Sequence, residues 1–293
     1  KIISAPLPSS GGIVLLQSLN ILRNYELESL QDSDRVHLIT EAMRRAYRDR
    51  ADFLGDPDYN HIDVKELIST EYADGLASNL KMTQATASSS LKKLAQQDKG
   101  KDTTHFSILD GKGNRVAATL SINYPFGASF VAPGTGVLLN NEMDDFSATP
   151  LAPNAYGLIG NHANSIQPGK RPLSSMTPTF LESKDRIGIL GTPGGSRIIS
   201  MVLISSLEFV EGKLPKAWVE KERFHHQYMP DVLQFEKGAF TVSLQRDLEK
   251  RGHKLREIDR KYGNMHAILW DKSQQEVYVA SDPRGEGRAD LQK

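Results

Sequence analysis

The feature that most constrains this chain is a strand–turn–strand pattern that begins abruptly at residue 103. Polar and apolar side chains alternate through residues 103–109 and 115–123 on either side of "DGKGN". Alternation around a glycine-containing turn predicts a two-stranded β-hairpin. If Leu109 faces Arg115, the register of the whole hairpin follows, and Thr103 lies opposite Ser121.

The two faces of this hairpin differ in chemistry. One face is apolar and is expected to pack inward, with Phe106 opposite Ala118 and Ile108 opposite Val116. The other face carries hydroxyl, imidazole and amide groups, with Thr103 opposite Ser121, His105 opposite Thr119, and Asn123 beyond them. Directly opposed side chains on such a pair lie close enough for a hydroxyl–hydroxyl hydrogen bond.

Two interpretations of the polar face remain open on these residues alone. The face could be the water-exposed side of a sheet. Alternatively, Thr103 could become a new chain end after cleavage of the preceding bond. Its free α-amine, with an unperturbed pKa of about 7.7–8.0, would then serve as the base for its own hydroxyl.

Composition narrows the function classes. The 293 residues contain 36 basic and 36 acidic side chains, a balance that argues against a nucleic-acid partner. The longest apolar runs are too short for a membrane span. The absence of cysteine excludes disulfides, thiolate metal sites and cysteine nucleophiles. The opening "KIISAPLPSSGG" is typical of a domain interior, so we expect the chain to be part of a longer protein.

The rest of the chain predicts helices first and strands later. Helices are expected over 13–25, 34–53 and up to residue 80, and the apolar stripe of the second includes Met43, Ala46 and Arg50. Residues 81–102 are polar and predict a linker. Further on, the pattern predicts a strand, a glycine-rich turn and a helix over 185–210, a helix over 241–251, and two closing strands. Separate blocks of helices and strands favour an α+β fold.

Four motifs in order resemble the γ-glutamyltranspeptidase (glutathione hydrolase) family: "TTHFSILDGKGNRVAATLSINYPFGASF", "GVLLNNEMDDFSATP", "GKRPLSSMTPT" and "GTPGGSR". The resemblance implies an N-terminal nucleophile hydrolase with a four-layer αββα sandwich, of which this chain holds a part. It also implies that residues 1–102 are the C-terminal part of a large subunit and that 103–293 are the small subunit.

The same resemblance implies residue roles. Thr103 would cleave the Asp102–Thr103 bond and then attack the substrate. The remaining implied roles are support of the nucleophile and substrate contact (Ser121, Asn123), binding of the glutamyl α-ammonium (Glu142, Asp145), binding of the α-carboxylate (Ser174, Ser175), the oxyanion hole (Gly194, Gly195) and an aromatic gate in a lid loop over 150–157 (Tyr156). Many family members carry threonine where this chain has Ser121.

The implied function is cleavage of glutathione and other γ-glutamyl amides, with transfer of the glutamyl group to water, amino acids or peptides, in a periplasmic or secreted heterodimer without metal or organic cofactor. Two alternatives stay open. The same fold could serve a β-lactam acylase or a poly-γ-glutamate transferase. The chain could also be an inactive fragment, because the family's substrate-binding arginine belongs to an earlier part of the large subunit.

We interpret the adjacent His225 and His226 as structural rather than metal-binding, since neighbours on a strand point to opposite faces.

Overall fold

The computed structural model describes residues 1–91, 103–148, 158–160 and 162–292. The α-helices of these residues are α1 Gly11–Leu22, α2 Asp32–Phe53, α3 Val64–Leu67, α4 Thr70–Ala77, α5 Ile198–Val210, α6 Pro215–Glu220 and α7 Val242–Lys250. The strands are β1 Ile2–Ser4, β2 Thr103–Leu109, β3 Arg115–Ser121, β4 Thr179–Glu182, β5 Arg186–Gly191, β6 Phe224–His225, β7 Leu233–Glu236, β8 Leu255–Ile258, β9 His266–Asp271 and β10 Glu276–Ser281. This content confirms the α+β class.

A five-stranded antiparallel sheet organises the fold, with strand order β1-β4-β5-β9-β10. β5 lies at its centre and is buried from Ile187 to Gly191, which explains its nearly continuous apolar sequence. On one face of the sheet lies the buried α5, which in turn packs against α1 and α6. The main hydrophobic core therefore forms between this sheet and the helices.

The hairpin of β2 and β3 has the predicted register. Thr103 pairs with Ser121, His105 with Thr119, and Leu109 with Arg115. The hairpin packs across β5 and β9 on the side of the large sheet away from α5, over a second, smaller core that contains Ile187, Ile189 and Ile268.

The prediction that the apolar face of the hairpin packs inward was wrong. Phe106, Ile108 and Val116 are 43%, 49% and 42% exposed, whereas His105 on the opposite face is only 3% exposed. The polar face turns toward β5 because its hydroxyl groups satisfy the imidazole: Thr119 Oγ1 lies 2.8 Å from His105 Nδ1, and Ser107 Oγ lies 3.1 Å from Nε2. Within the described residues, the apolar face therefore has no covering layer.

The N-terminal helices agree with the predicted pattern, except that the predicted third helix is divided into two. The region expected to form a single third helix contains two short ones, α3 and α4. Ser69 separates them: its backbone is extended, and its side chain accepts a hydrogen bond from the N–H of Tyr72, which makes it the N-cap of α4.

Part of the predicted linker is packed against the protein. Ser88 is fully buried, Arg44 donates to its hydroxyl at 2.7 Å, and its N–H donates to Asp231 at 2.8 Å. Residues 88–91 form a 3₁₀ helix. Residues 92–102, the remainder of the predicted linker, lie outside the described residues. None of the helices that the structure describes is both long and apolar enough to cross a membrane.

The C-terminal part adds a small sheet of order β6-β7-β8 and the helix α7. Both histidines at β6 are buried and bonded within the protein, which agrees with a structural role. His225 lies 2.9 Å from the hydroxyl of Ser200 and 2.8 Å from Oε1 of Gln227, and His226 lies 3.2 Å from Asp231.

Candidate active site

Thr103 and Ser121 form the centre of the site. They are directly opposed at the open end of the hairpin, and their hydroxyl oxygens lie 3.2 Å apart. Ser121 Oγ also accepts a hydrogen bond from the N–H of Asn123 at 2.8 Å and is bonded to the carboxylate of Glu142. An ionised carboxylate can only accept, so the Ser121 proton points toward Glu142. The Thr103 hydroxyl is then left as the donor to Ser121, which polarises it.

Asn123 is held where the strand ends and the chain reverses. It is 2% exposed, has a positive φ of 70°, a conformation that asparagine tolerates better than most residues, and donates from Nδ2 to the carbonyl of Asn141 at 3.1 Å. This contact ties the end of β3 to the segment that carries the acidic residues. The nucleophile and the acids are therefore positioned by one hydrogen-bonded unit.

Glu142 and Asp145 form an acidic wall at the two ends of one 3₁₀ turn. Burial, followed by the charge of Glu142, raises the pKa of Asp145 to about 7. Burial also raises the pKa of Glu142, while hydrogen bonds from Ser121 and Asp145 oppose that shift. The pair therefore shares a proton, which Asp145 loses only as the pH approaches neutrality. A bound ammonium group could replace that proton.

Ser174 and Ser175 form a hydroxyl wall. Ser174 Oγ accepts the N–H of Met176 at 3.1 Å, and Ser175 Oγ accepts a hydrogen bond from Arg50 at 3.2 Å. Ser10, just before α1, fixes the backbone of this segment by donating from its hydroxyl to the carbonyl of Ser174 at 2.7 Å. Both wall hydroxyls thus accept from the protein, and we find no acceptor for their protons among the described residues.

The predicted oxyanion hole lies where β5 leads into α5. Gly194 and Gly195 have φ values of 147° and 57°, which side-chain-bearing residues rarely adopt. A Cβ on Gly194 would also meet the Cε of Met201 at 2.5 Å. This turn lies just ahead of a helix, where backbone N–H groups favour an anionic oxygen.

One cavity collects most of the predicted residues. Including its open mouth it has an empty volume of about 310 Å³, and it is lined by Thr103, Ser121, Asn123, Glu142, Asp145, Leu158, Ser174, Ser175, Met176, Gly195, Ser196 and Ile198. Gly194 adjoins this cavity without lining it. Asp102 and Tyr156 lie outside the described residues, as does the whole of the predicted lid loop over 150–157. The hairpin and three distant motifs thus converge on one space.

The sequence analysis missed several residues of this site. Leu158, Met176, Ser196 and Ile198 also line the cavity, and Arg50 lies behind Ser175. Three of the four lining residues sit beside predicted motif residues, so proximity in sequence was a usable signal. For Arg50 the signal was an arginine within an apolar helical stripe.

Another cluster of possible metal ligands lies away from this cavity. Within the described ranges, His37, Glu41 and His253 come close enough together to share an ion. Glu41 already accepts hydrogen bonds from Arg44 at 3.0 Å and from Arg45 at 2.6 Å. A cation there would be repelled by both guanidinium groups, so the cluster is better explained as a buried polar network.

Comparison with known proteins is consistent with this geometry. A family profile described as Gamma-glutamyltranspeptidase matches residues 1–291. The "Glutathione hydrolase proenzyme" of Escherichia coli (strain K12) is 41% identical over 290 residues, which cover 97% of this chain and 49% of that protein. The chain spans about half the length of the curated relatives it matches.

Solved structures agree on the fold. A gamma-glutamyltranspeptidase from Pseudomonas nitroreducens complexed with L-DON is 39% identical with a TM-score of 0.60, over 65% of this chain and all of that one. A cephalosporin acylase from Bacillus halodurans is 26% identical with a TM-score of 0.81, over 98% of this chain and 50% of that one. The fold is that of the N-terminal nucleophile hydrolases, and the chain belongs to the γ-glutamyltranspeptidase family.

Proposed function

We propose that this chain carries the nucleophile and most of the glutamyl pocket of a γ-glutamyltransferase and glutathione hydrolase. The observation that carries the proposal is the position of Thr103. Its hydroxyl lies 3.2 Å from that of Ser121, in a cavity with acids on one wall and hydroxyl donors on another. A polar hairpin face that was only the side of a sheet would not converge with three other motifs on one cavity.

The first proposed step is self-cleavage. Thr103 Oγ attacks the carbonyl carbon of Asp102, its proton is relayed by way of the Ser121 hydroxyl to the peptide nitrogen, and the C–N bond breaks so that this nitrogen becomes the amine of Thr103. Water then hydrolyses the resulting ester, giving the Asp102 carboxylate and a free Thr103 with its hydroxyl restored. The word "proenzyme" in the names of the relatives supports this step. The solved chain from Pseudomonas nitroreducens also supports it. The whole of that chain matches 65% of this one, which is about the share that residues 103–293 make up.

The second step is turnover. The free amine of Thr103 accepts the hydroxyl proton as Oγ attacks the γ-carbonyl of glutathione or a related amide, and the backbone N–H groups around Gly195 stabilise the oxyanion. The leaving amine takes the proton, and a γ-glutamyl ester remains on Thr103. Water, an amino acid or a peptide then attacks the ester, which releases the glutamyl group and returns the proton.

The two walls fit the head group of a free glutamyl residue. Glu142 and Asp145 suit its α-ammonium, and the hydroxyl protons of Ser174 and Ser175 suit its α-carboxylate. We propose Tyr156 as an aromatic gate on this pocket by family resemblance. Export to the periplasm or outside the cell, and assembly of residues 1–102 and 103–293 as two subunits, are proposed on the same ground.

An acylase is the second candidate, favoured by the cephalosporin acylase of the same fold. The test compares γ-glutamyl-p-nitroanilide with glutaryl-p-nitroanilide, which keeps the carboxylate and lacks the ammonium. We expect the γ-glutamyl compound to be cleaved at least tenfold faster, because the acidic wall then has a cation to bind. Equal rates, or a preference for glutaryl, would favour the acylase. A poly-γ-glutamate transferase would instead use polymer as donor.

The assay is run on the chain alone and on the chain co-expressed with the upstream half of a full-length family member. Turnover only in the second case would mean that the upstream half supplies a missing part of the site. No self-cleavage and no turnover in either case would support the inactive-fragment alternative.

A further inference from the structure

Arg50 is a buried cation for which the described residues provide no ion-pair partner. It lies near the end of α2, is 4% exposed, and donates from Nε to Ser10 Oγ at 2.9 Å and from Nη2 to Ser175 Oγ at 3.2 Å. A longer contact reaches the carbonyl of Leu173 at 3.4 Å. Within residues 1–91, 103–148, 158–160 and 162–292, no carboxylate lies within ion-pair distance of it. Two other arginines of the same helix, Arg44 and Arg45, each pair with Glu41.

A buried charge is costly unless something compensates it. Burial lowers the pKa of Arg50 to about 10, and Asp145, on the acidic wall, is the carboxylate whose charge opposes this shift. Arg50 thus lies directly behind the hydroxyl wall, and none of the described carboxylates pairs with it. An anion bound in front of that wall would supply the missing compensation.

Among the described residues that line the cavity there is no cation. Its ionisable side chains near neutral pH are the acids Glu142 and Asp145, and the opposite wall offers only neutral hydroxyl groups. A carboxylate entering this space would meet repulsion from the acids. The field of Arg50 is therefore the positive charge that the described part of this site offers to such a group.

The direction of one hydrogen bond links Arg50 to the cavity. A guanidinium can only donate, so Ser175 Oγ is the acceptor of that bond. The hydroxyl proton of Ser175 must then point elsewhere, and we find no acceptor for it among the described protein groups. Because Ser175 lines the cavity, the proton is available to a ligand there. Without Arg50, the hydroxyl could rotate and present a lone pair instead.

We propose that Arg50 is a positioning residue that makes the hydroxyl wall selective for a carboxylate. It holds Ser175 as a donor and places a positive charge behind it, and so favours acyl groups that carry a carboxylate at this position over those that lack it. The proposal deepens the proposed function and rests on it. Arg50 acts through Ser175 and does not contact the ligand.

The test uses three small ligands that separate the two walls. All three carry the carboxylate that corresponds to the γ-position of glutamate. L-glutamate also carries the α-ammonium and the α-carboxylate, glutarate carries the equivalent of the α-carboxylate without the ammonium, and 4-aminobutyrate carries the ammonium without the α-carboxylate. Each ligand is titrated calorimetrically into the wild type, Arg50→Met and Arg50→Lys. The protein is either the chain alone or the chain co-expressed with the upstream half, whichever cleaves itself. If neither does, the co-expressed protein is used. Binding requires no turnover, so this readout is independent of the proposed reaction.

We expect Arg50→Met to bind glutarate and L-glutamate about tenfold more weakly, equivalent to about 1.4 kcal/mol, and to bind 4-aminobutyrate within about twofold of the wild type. Arg50→Lys keeps the charge and should recover part of the loss. Ser175→Ala should cause little further loss of glutarate binding in Arg50→Met, because both changes remove the same interaction. Asp145→Asn is the matched opposite control and should weaken 4-aminobutyrate and spare glutarate.

Equal losses for glutarate and 4-aminobutyrate would show that Arg50 only maintains the structure, and no loss for glutarate would overturn the proposal directly. If Arg50→Met does not fold, the same two comparisons in Arg50→Lys decide. If the ligands bind as expected but the anilide is not cleaved, the role of Arg50 is supported and the proposed function is refuted. If the anilide is cleaved but the Arg50 variants lose no selectivity between ligands, the proposed function is supported and the role of Arg50 is refuted. If the wild type binds neither glutarate nor L-glutamate, the proposal is wrong.

Discussion

The two faces of the β2–β3 hairpin differ in polarity and in burial. The polar face, with His105 and the hydroxyl groups around it, is packed onto the large sheet and leads into the cavity at Thr103. The apolar face, with Phe106, Ile108 and Val116, is exposed. Polarity alone therefore does not decide which face of a strand is buried. A polar face can be buried when its groups satisfy one another, as catalytic sites often require.

The largest effect is expected from a substitution on the buried polar face (the inner face), at Ser121; the exposed apolar face is the outer face. Ser121→Ala removes the acceptor of the Thr103 proton, so we expect self-cleavage to slow by about 100-fold or more, within the range typical of a lost proton-transfer partner. The matched outer-face change is Leu120→Ala, at a residue that is 52% exposed, which should alter the rate less than about twofold. A time course of intact mass measures both. Equal slowing in the two variants would mean that the faces do not differ in function.

A methyl group added to β5 at Gly191, beneath the inner face, should lower the stability of the fold. A Cβ on Gly191 would lie 2.3 Å from Cε1 of His105, whose ring is held by two hydrogen bonds, so Gly191→Ala is expected to lower the free energy of unfolding by about 1–3 kcal/mol. The control is Gly111→Ala in the hairpin turn, where a Cβ meets nothing within 4 Å. That variant should be neutral or slightly stabilising. Urea unfolding compares them, and an unaffected Gly191→Ala would show that the inner face is loosely packed.

The acidic wall predicts a pH dependence of ligand binding. Burial raises the pKa of Asp145 to about 7, and an ammonium ligand binds best to the ionised form of this carboxyl group. The affinity for 4-aminobutyrate should therefore rise with pH up to about 7 and fall toward tenfold per pH unit well below it. Glutarate lacks the ammonium and should not follow this curve. Calorimetry from pH 5.5 to 8 tests this, and a flat profile for 4-aminobutyrate would contradict the assigned position of the ammonium.

The buried imidazole of the inner face predicts an acid sensitivity. Burial, with a smaller contribution from His266, lowers the pKa of His105 to about 3 in the folded protein. Between that value and 6.5 the unfolded chain binds a proton that the folded chain does not, so the stability is complete above pH 6.5 and decreases as the pH falls. His225, His226 and His253 shift in the same direction.

His105→Gln should therefore reduce the loss of stability between pH 7 and pH 5.5 by about 1 kcal/mol relative to the wild type. Urea unfolding at both pH values measures it. An identical loss in the variant would mean that His105 is protonated or accessible in the folded protein.

The smallest effect is expected on the outer face. Ile108→Thr should change the unfolding free energy of this chain by no more than about 0.5 kcal/mol, because Ile108 is 49% exposed. Repeating the measurement after co-expression with the upstream half of a family member sharpens the comparison. A clearly larger cost there would show that this face is covered in the assembled protein.

The sequence predicted local structure well where neighbouring residues determine it. The register of the hairpin followed from the alternation around "DGKGN", and the turn of Gly194 and Gly195 followed from the glycines themselves. The burial of the hairpin faces was not predictable, since it depends on which layers the chain contains. The arginine in an otherwise apolar stripe indicated that Arg50 is buried but not what it contacts, and only the tertiary structure shows that it reaches Ser175.

The central claim is that Thr103 is a nucleophile that frees its own amine. The direct test is the intact mass of the purified protein after incubation near neutral pH. We predict two species whose masses sum to the uncut chain plus one water, the smaller beginning at Thr103, and a Thr103→Ala variant that stays whole. A single uncut mass in both forms of the protein, or cleavage that persists in Thr103→Ala, would contradict the claim.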